Sequence, residues 1–255
     1  MNNFKGRIAI AIVIALIGVV TYFSKTETNP ITGEKQRVSL SVEQEIALGL
    51  QSAPELIQEM GGEARDSKLN AYIDKVGNNI LSRTEAGKSP FQFEFYLLAD
   101  NKTVNAFALP GGQVFITAGL YNLLKSEDQL AGILGHEIGH VINRHGSEHM
   151  AKAELTQQLV LATQVGSGGY DQGMIAQYVG QMVNLKYGRA DEIESDEYGV
   201  KYLIESGYQP EAMIEVMEIL NEASGKQRQP EFLSSHPNPE NRIQKIKEYI
   251  AKYKK

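Results

Sequence analysis

No cysteine occurs among the 255 residues. That excludes disulfides, thiolate metal ligands, a cysteine nucleophile and lipid modification of an N-terminal cysteine. An excess of basic charge is also missing. Lys and Arg number 25 against 31 Asp and Glu, the net charge is −6, and the two signs are interspersed. A surface for nucleic acid needs a basic stripe to neutralise phosphates, so nucleic acid is excluded as the main partner. Internal repeats are absent. Apolar residues are plentiful: 42 % are hydrophobic and 22 % charged, enough for a sizeable core in one large domain or two small ones.

The longest apolar run lies at the N-terminus. Lys5 and Arg7 precede "IAIAIVIALIGVVTYF", Ile8 to Phe23, which carries no charge. A spanning helix needs about 20 residues, with a lower limit near 17, and counting Thr21 to Ser24 as interfacial makes this segment adequate. A signal peptidase needs small-x-small after the run. "VVTYFSK" offers bulky residues there, which favours an uncleaved anchor over a removed signal. Two basic residues before the run against a lone Lys25 after it direct the N-terminus inward and the remainder outward. The expected organisation is a signal anchor over 1–24, a turn-rich linker over 25–40 and one domain over 41–255.

Helices are expected from Ser41 to Met60 and from Asp66 to Ser82, where Leu69, Tyr72, Ile73, Val76 and Ile80 recur at helical spacing. "FQFEFYLLA" alternates, placing Phe91, Phe93, Phe95 and Leu97 on one face of a strand. "TVNAFALP" and "QVFIT", parted by Pro110-Gly111-Gly112, read as two more strands. Beyond them the pattern is helical. Ser126 with Gln129 forms a capping box opening a helix through Asn143, and residues 147–165 continue helically. Further helices are expected over 174–185, 189–206, 210–223 and from about Pro239 to Tyr253, with loops over 166–173 and 225–240. The fold class is α+β: mostly helical, with a small antiparallel sheet beside helix 126–143.

That helix holds "GHEIGHVINRHG", Gly135 to Gly146, with three of the five histidines of the chain. Residues four apart stack on one helix face, so His136 and His140 can present two imidazoles to one ion. Glu137, at the edge of that face, can take a proton from a water that the ion polarises and pass it to a leaving amine. Two imidazoles and a carboxylate suit one Zn2+ per chain with a fourth position open. The bland alternative is a polar helix face. It is opposed by the small and apolar residues around the motif, because histidines at the centre of a buried helix need partners. A metzincin series fails, since Asn143 and Gly146 stand where it needs glycine and a third histidine. His145 and His149 then read as surface residues or as supports behind the ligands.

The third ligand is sought in the acidic segment "YGRADEIESDEYG", residues 187–199. Glu192 and Asp196 share a helix face, so Glu192 could bind metal while Asp196 orients a ligand histidine through its free ring N–H. Glu194 is the competing ligand, and a solvated acidic helix is the bland reading. His236, before a proline, reads from composition as a loop histidine capping the last helix. The position of Arg189, three residues before Glu192, suits a structural role or a pairing with a nearby acid.

"HEIGHVINRH" together with "YGRADEIESDEYG" resembles the gluzincin zinc metallopeptidase family that includes HtpX, the CAAX prenyl endopeptidase and the periplasmic BepA and LoiP proteases. The similarity runs over about residues 40–250 and takes in "NAFALPGGQVFITAGL" (105–120) and "SSHPNPENRI" (234–243). By matching position it implies His136, His140 and Glu192 as zinc ligands, Glu137 as general base and Asp196 as support. It brings His236 close to the metal, either steadying the tetrahedral intermediate or capping the resting site, with the proline-framed backbone favouring the first. Asn105, Ala106 and Phe107 would bind an extended substrate at a sheet edge. The chain departs from the family in having no lipobox cysteine and a single hydrophobic segment, so the anchor must be Ile8–Phe23. The resemblance implies a zinc endopeptidase that acts on unfolded, misfolded or mislocalised envelope proteins. It would sit on the bacterial inner membrane with its catalytic domain in the periplasm, or be released by cleavage. The rival is an envelope chaperone-like binding protein whose metal site stays blocked.

Overall fold

The computed structural model describes residues 2–167, 187–224, 230–237 and 241–254. In chain order its helices are α1 (Asn2–Ser24), α2 (Val42–Glu59), α3 (Ser67–Arg83), α4 (Ala118–Tyr121), α5 (Glu127–Ile142), α6 (His145–Ser167), α7 (Arg189–Ser206), α8 (Ala212–Ser224), α9 (Glu231–Ser235) and α10 (Arg242–Tyr253). The strands are β1 (Thr26–Thr28), β2 (Lys35–Arg37), β3 (Glu94–Leu98), β4 (Ala106–Ala108) and β5 (Gln113–Thr117). The chain divides into two compact units, residues 1–41 with 146–185, and 42–145 with 186–255.

In the first unit α1 contains a 21-residue stretch, Phe4–Ser24, of mean hydropathy 2.2 and only 6 % buried, long and apolar enough to cross a membrane. Residues 25–40 are more than a linker: β1 and β2 pair antiparallel. The turn between them is built by Asn29, whose side-chain oxygen accepts from the Ile31 and Thr32 N–H groups at 2.8 and 3.1 Å. Such an Asx turn competes well with extended chain. Helix α6 runs beside α1, tied by an ion pair of Lys25 with Glu154 and by Arg7 Nε donating to the Val165 carbonyl at 3.3 Å.

The second unit is built on a three-stranded sheet of order β3-β5-β4. The sheet is mixed, not wholly antiparallel as expected: β4 pairs antiparallel with β5, but β3 pairs parallel with it. Burial explains the order. All five residues of β5 are buried, so it takes the centre, while the short β4 takes an edge. Phe115 stacks between Tyr96 and Phe107 (ring centroids 5.1 and 5.0 Å), and α2 covers that face with Ala53 and Leu56. On the other face Phe95, Leu97, Val114 and Ile116 are buried. The Phe95 ring lies so close to Gly77 of α3 that a Cβ there would come within 2.5 Å of it.

Helix bounds follow local chemistry. Asp66 caps α3 by accepting from the Lys68 and Leu69 N–H groups. Ser126 caps α5 by accepting from Gln129 N–H, and the Gln129 side chain answers one residue earlier than a capping box requires, at Lys125 N–H. The expected 225–240 loop contains a short helix, α9, entered from Pro230. Residues 225–229 and 238–240, with Pro239, lie outside the described residues, as do the expected helix 174–185 and most of the expected loop 166–173.

Candidate metal centre

Helices α5 and α7 approach at backbone distance. A Cβ on Gly139 would meet the Ser195 carbonyl oxygen at 3.1 Å, and one on Gly199 would meet the His136 nitrogen at 3.3 Å. Side chains at these positions would force the helices apart. Glycine instead lets the face carrying His136 and His140 meet the face carrying Glu192 and Asp196.

His136 Nε2 and His140 Nε2 lie 3.1 Å apart. Glu192 Oε1 is 3.4 Å from His140 Nε2, and Oε2 is 3.6 Å from His136 Nε2. From the segment after α9, His236 Nδ1 reaches within 3.0 Å of Glu192 Oε1 and 3.3 Å of His136 Nε2. One ligand atom from each of these four buried residues lies within 4.8 Å of the others. Three imidazoles and a carboxylate converging away from water form a donor set for a divalent cation. Glu137 is 0 % exposed, and neither of its carboxylate oxygens has a hydrogen-bond partner among the described residues. His236 Nε2 lies 3.6 Å from Glu137 Oε1, beyond hydrogen-bond reach, and a buried carboxylate without a hydrogen bond is costly on its own. A cation beside it removes that cost, so the residues present fit a metal.

Charge is arranged to match. Burial raises the Glu137 carboxyl above its ordinary value, against the pull of His236 and His136. Burial would raise Glu192 too, but the His236 charge and the neighbouring rings of His236 and His140 hold it well below the carboxylate range. His140 is pushed well below 6.5, first by burial, which keeps it neutral and able to donate a lone pair. Behind His136, Asp196 Oδ1 lies 3.0 Å from Nδ1. Arg242 grips Asp196 with two bonds of 2.7 Å and lies 2.9 Å from Glu192 Oε2 through Nη1. Burial would raise Asp196, but the Arg242 charge outweighs it and lowers the group.

Residues 67–250 match Peptidase family M48. The chain belongs to this family. It is 30 % identical over 254 residues to the Beta-barrel assembly-enhancing protease of Escherichia coli (strain K12), covering 94 % of this chain and 51 % of that protein. Identity to the Mitochondrial metalloendopeptidase OMA1 of Schizosaccharomyces pombe is 28 % over 238 residues, 91 % of this chain and 69 % of that one. For the human Metalloendopeptidase OMA1, mitochondrial, it is 26 % over 254 residues, 92 % and 48 %. The chain thus spans about half the length of the β-barrel assembly-enhancing proteases it matches.

In this M48 chain the structure brings His136, Glu137, His140, Glu192, Asp196 and His236 together. Asn105, Ala106 and Phe107 lie on and beside the sheet edge at β4. Glu194 points instead to His145, 3.1 Å away. His145 is 1 % exposed, so it is no surface residue, whereas His149 is half-buried. Arg189 stands exposed at the start of α7. Sequence reasoning assigned no role to Arg242, although it lies inside the quoted "SSHPNPENRI". It also passed over Tyr187, whose ring stacks on His140 at 3.9 Å, and Phe232, stacked on His236 at 4.4 Å. A buried arginine has no hydrophobic period to betray it. The cue available was the two buried acids, which require a cation.

Proposed function

We propose that the chain is a zinc-dependent endopeptidase, held in a membrane by Ile8–Phe23, that cuts extended segments of misfolded or mislocalised envelope proteins. The observation that carries this reading is Glu137: fully buried, without a hydrogen-bond partner among the described residues, one residue from His136 in the donor cluster. A structural metal site has no use for such a carboxylate.

His136, His140 and Glu192 would hold Zn2+, which when bound supplies a Lewis acid for the scissile carbonyl and lowers the pKa of a water. Glu137 takes the proton of the attacking water and returns it to the leaving amine. Asp196, clamped by Arg242, keeps Nε2 of His136 turned to the cluster. Substrate is received at β4. The Asn105–Thr117 and Leu109–Gln113 hydrogen bonds face β5, so the alternate residues, buried Ala106 and half-buried Ala108, direct their backbone groups away from β5 at the sheet edge. An extended peptide adds there as a further strand.

His236 supports a second reading, of a latent resting form. Its Nδ1 is turned to Glu192 and His136, as a fourth metal donor would be, and the ring is 0 % exposed. The segment bearing it also touches the substrate edge, since Phe232 N–H donates to the Val104 carbonyl at 3.0 Å. On this reading the segment 230–237 is displaced before substrate enters, and His236 acts as a cap more than as an oxyanion donor.

The periplasmic setting rests on the basic residues before α1 and on the kinship with the bacterial β-barrel assembly-enhancing proteases. The test uses full-length protein in detergent, loaded with Zn2+ and given casein. Cutting that stops on chelation and returns with Zn2+ is expected. Binding of casein without any cutting, with zinc in place, would leave the chaperone-like rival. The membrane part fails if the mature protein begins near residue 25 and leaves the membrane in carbonate.

A further inference from the structure

A second line of contacts leads away from His140. Its Nε2 faces the donor cluster, and its other ring nitrogen, Nδ1, lies 2.9 Å from Nδ1 of His145. On the far side of that ring, His145 Nε2 is 3.1 Å from Glu194 Oε2, and Ser195 Oγ is 3.4 Å from Nδ1. With one proton on each ring, these distances allow one placement of protons. The Glu194 carboxylate only accepts, so His145 Nε2–H donates to it. Neutral His145 then has Nδ1 free to accept, and His140 Nδ1–H donates there. The lone pair of His140 is thereby left on Nε2, facing His136 and Glu192.

We propose that His145 is a positioning residue for the metal centre: it fixes the tautomer and ring orientation of His140, and Glu194 in turn fixes His145. The inference rests on His140 being a metal ligand.

The backbone is shaped to deliver this contact. Arg144, between α5 and α6, has φ 55°, the one positive φ outside glycine among the described residues. That conformation is unfavourable for a residue with a side chain and persists where the surroundings impose it. Here the buried guanidinium is held by Glu45 of α2, at 2.8 Å from Nε and 2.7 Å from Nη2. The left-handed residue breaks the helix after α5, and His145 Nδ1 comes within reach of His140. A straight continuation of α5 would carry residue 145 round to another face, five positions or 500° from His140.

Each of the two helix-borne histidines thus has its own support. His136 uses a carboxylate, and His140 uses an imidazole backed by a carboxylate. A hydrogen-bonded group behind a ligand histidine typically accounts for 10–100-fold in metal affinity.

The experiment titrates metal-free, full-length protein in detergent with Zn2+ against a competing chelator. It compares wild type with His140→Ala, His145→Leu and His145→Asn, and melting of each metal-free form reports folding. His140→Ala should lose zinc. His145→Leu should weaken it by about 10–100-fold. His145→Asn places an amide oxygen where Nδ1 was, can accept from His140, and should recover most of the loss. Wild-type affinity in His145→Leu beside lost zinc in His140→Ala overturns this inference alone. Zinc retained by His140→Ala overturns the ligand assignment beneath it. Equal weakening in His145→Leu and His145→Asn, both folded, reduces His145 to packing. Should His145→Leu not fold, ring-15N spectra of the metal-free wild type decide: Nδ1–H on His140 is expected, and Nε2–H overturns the proposal.

Discussion

The candidate metal centre has two sides of different construction. On one side His136, Glu137, His140, Glu192 and Asp196 stand on α5 and α7, long helices pressed together through Gly139 and Gly199. On the other side His236 follows α9, a helix of five residues. That segment is held by Phe232 N–H to Val104, by Tyr187 N–H to the Ser235 carbonyl at 3.1 Å, and by the stacked Phe232 ring. Regular hydrogen bonding and backbone contact set the first side; the second is a short element seated by contacts from distant parts of the chain, with Phe232 and His236 both 0 % exposed. Such a segment moves only by giving up those contacts.

The sharpest break between the two sides is expected at Glu137. Glu137→Gln keeps shape and, on this reading, zinc, yet should lower casein turnover by at least the roughly 10²–10⁴-fold that loss of a general base costs. Turnover near wild type with zinc bound would remove Glu137 from the chemistry. Next comes Glu192→Ala. Zinc content should fall beyond the 10–100-fold range for loss of a supporting group, while Glu194→Ala, acting only through His145, should fall less. Metal analysis after dialysis separates them, and the reverse order would move the third ligand to Glu194.

Arg242→Met tests what holds the helical side in place. It strands Asp196 and Glu192, both 0 % exposed, without their shared cation. Removing one partner of a buried ion pair costs about 3–5 kcal/mol, and this should appear in denaturant melts of the metal-free protein. A cost below about 1 kcal/mol would mean that the acids are satisfied by other groups.

The smallest effect belongs to the short segment. His236→Ala should leave the fold intact and raise casein turnover a few-fold, about 1 kcal/mol or less in barrier, by releasing the fourth donor position. A loss of about 10²–10³-fold at unchanged zinc would instead assign His236 to the developing oxyanion and make both sides of the centre catalytic.

Much of the helical side was legible in the amino-acid order. The four-residue spacings of His136 with His140 and Glu192 with Asp196 place each pair on one helix face, since the helix repeats every 3.6 residues. The Asp66 and Ser126 caps and the Pro110-Gly111-Gly112 turn were equally local, and so was the apolar run of α1. What lay beyond reach depended on contacts between distant segments. The central place of β5 follows from its burial on both faces, and its parallel pairing with β3 from the path the chain takes between them. The grip of Arg242 on Asp196 spans 46 positions, and His236 meets His136 across 100. Most telling is His145. Five residues from His140, it lies off that face of an unbroken helix, and only the left-handed turn at Arg144, held by Glu45 from 99 positions away, brings it back. Periodicity reports the face a residue occupies while its helix continues, but packing decides where the helix breaks.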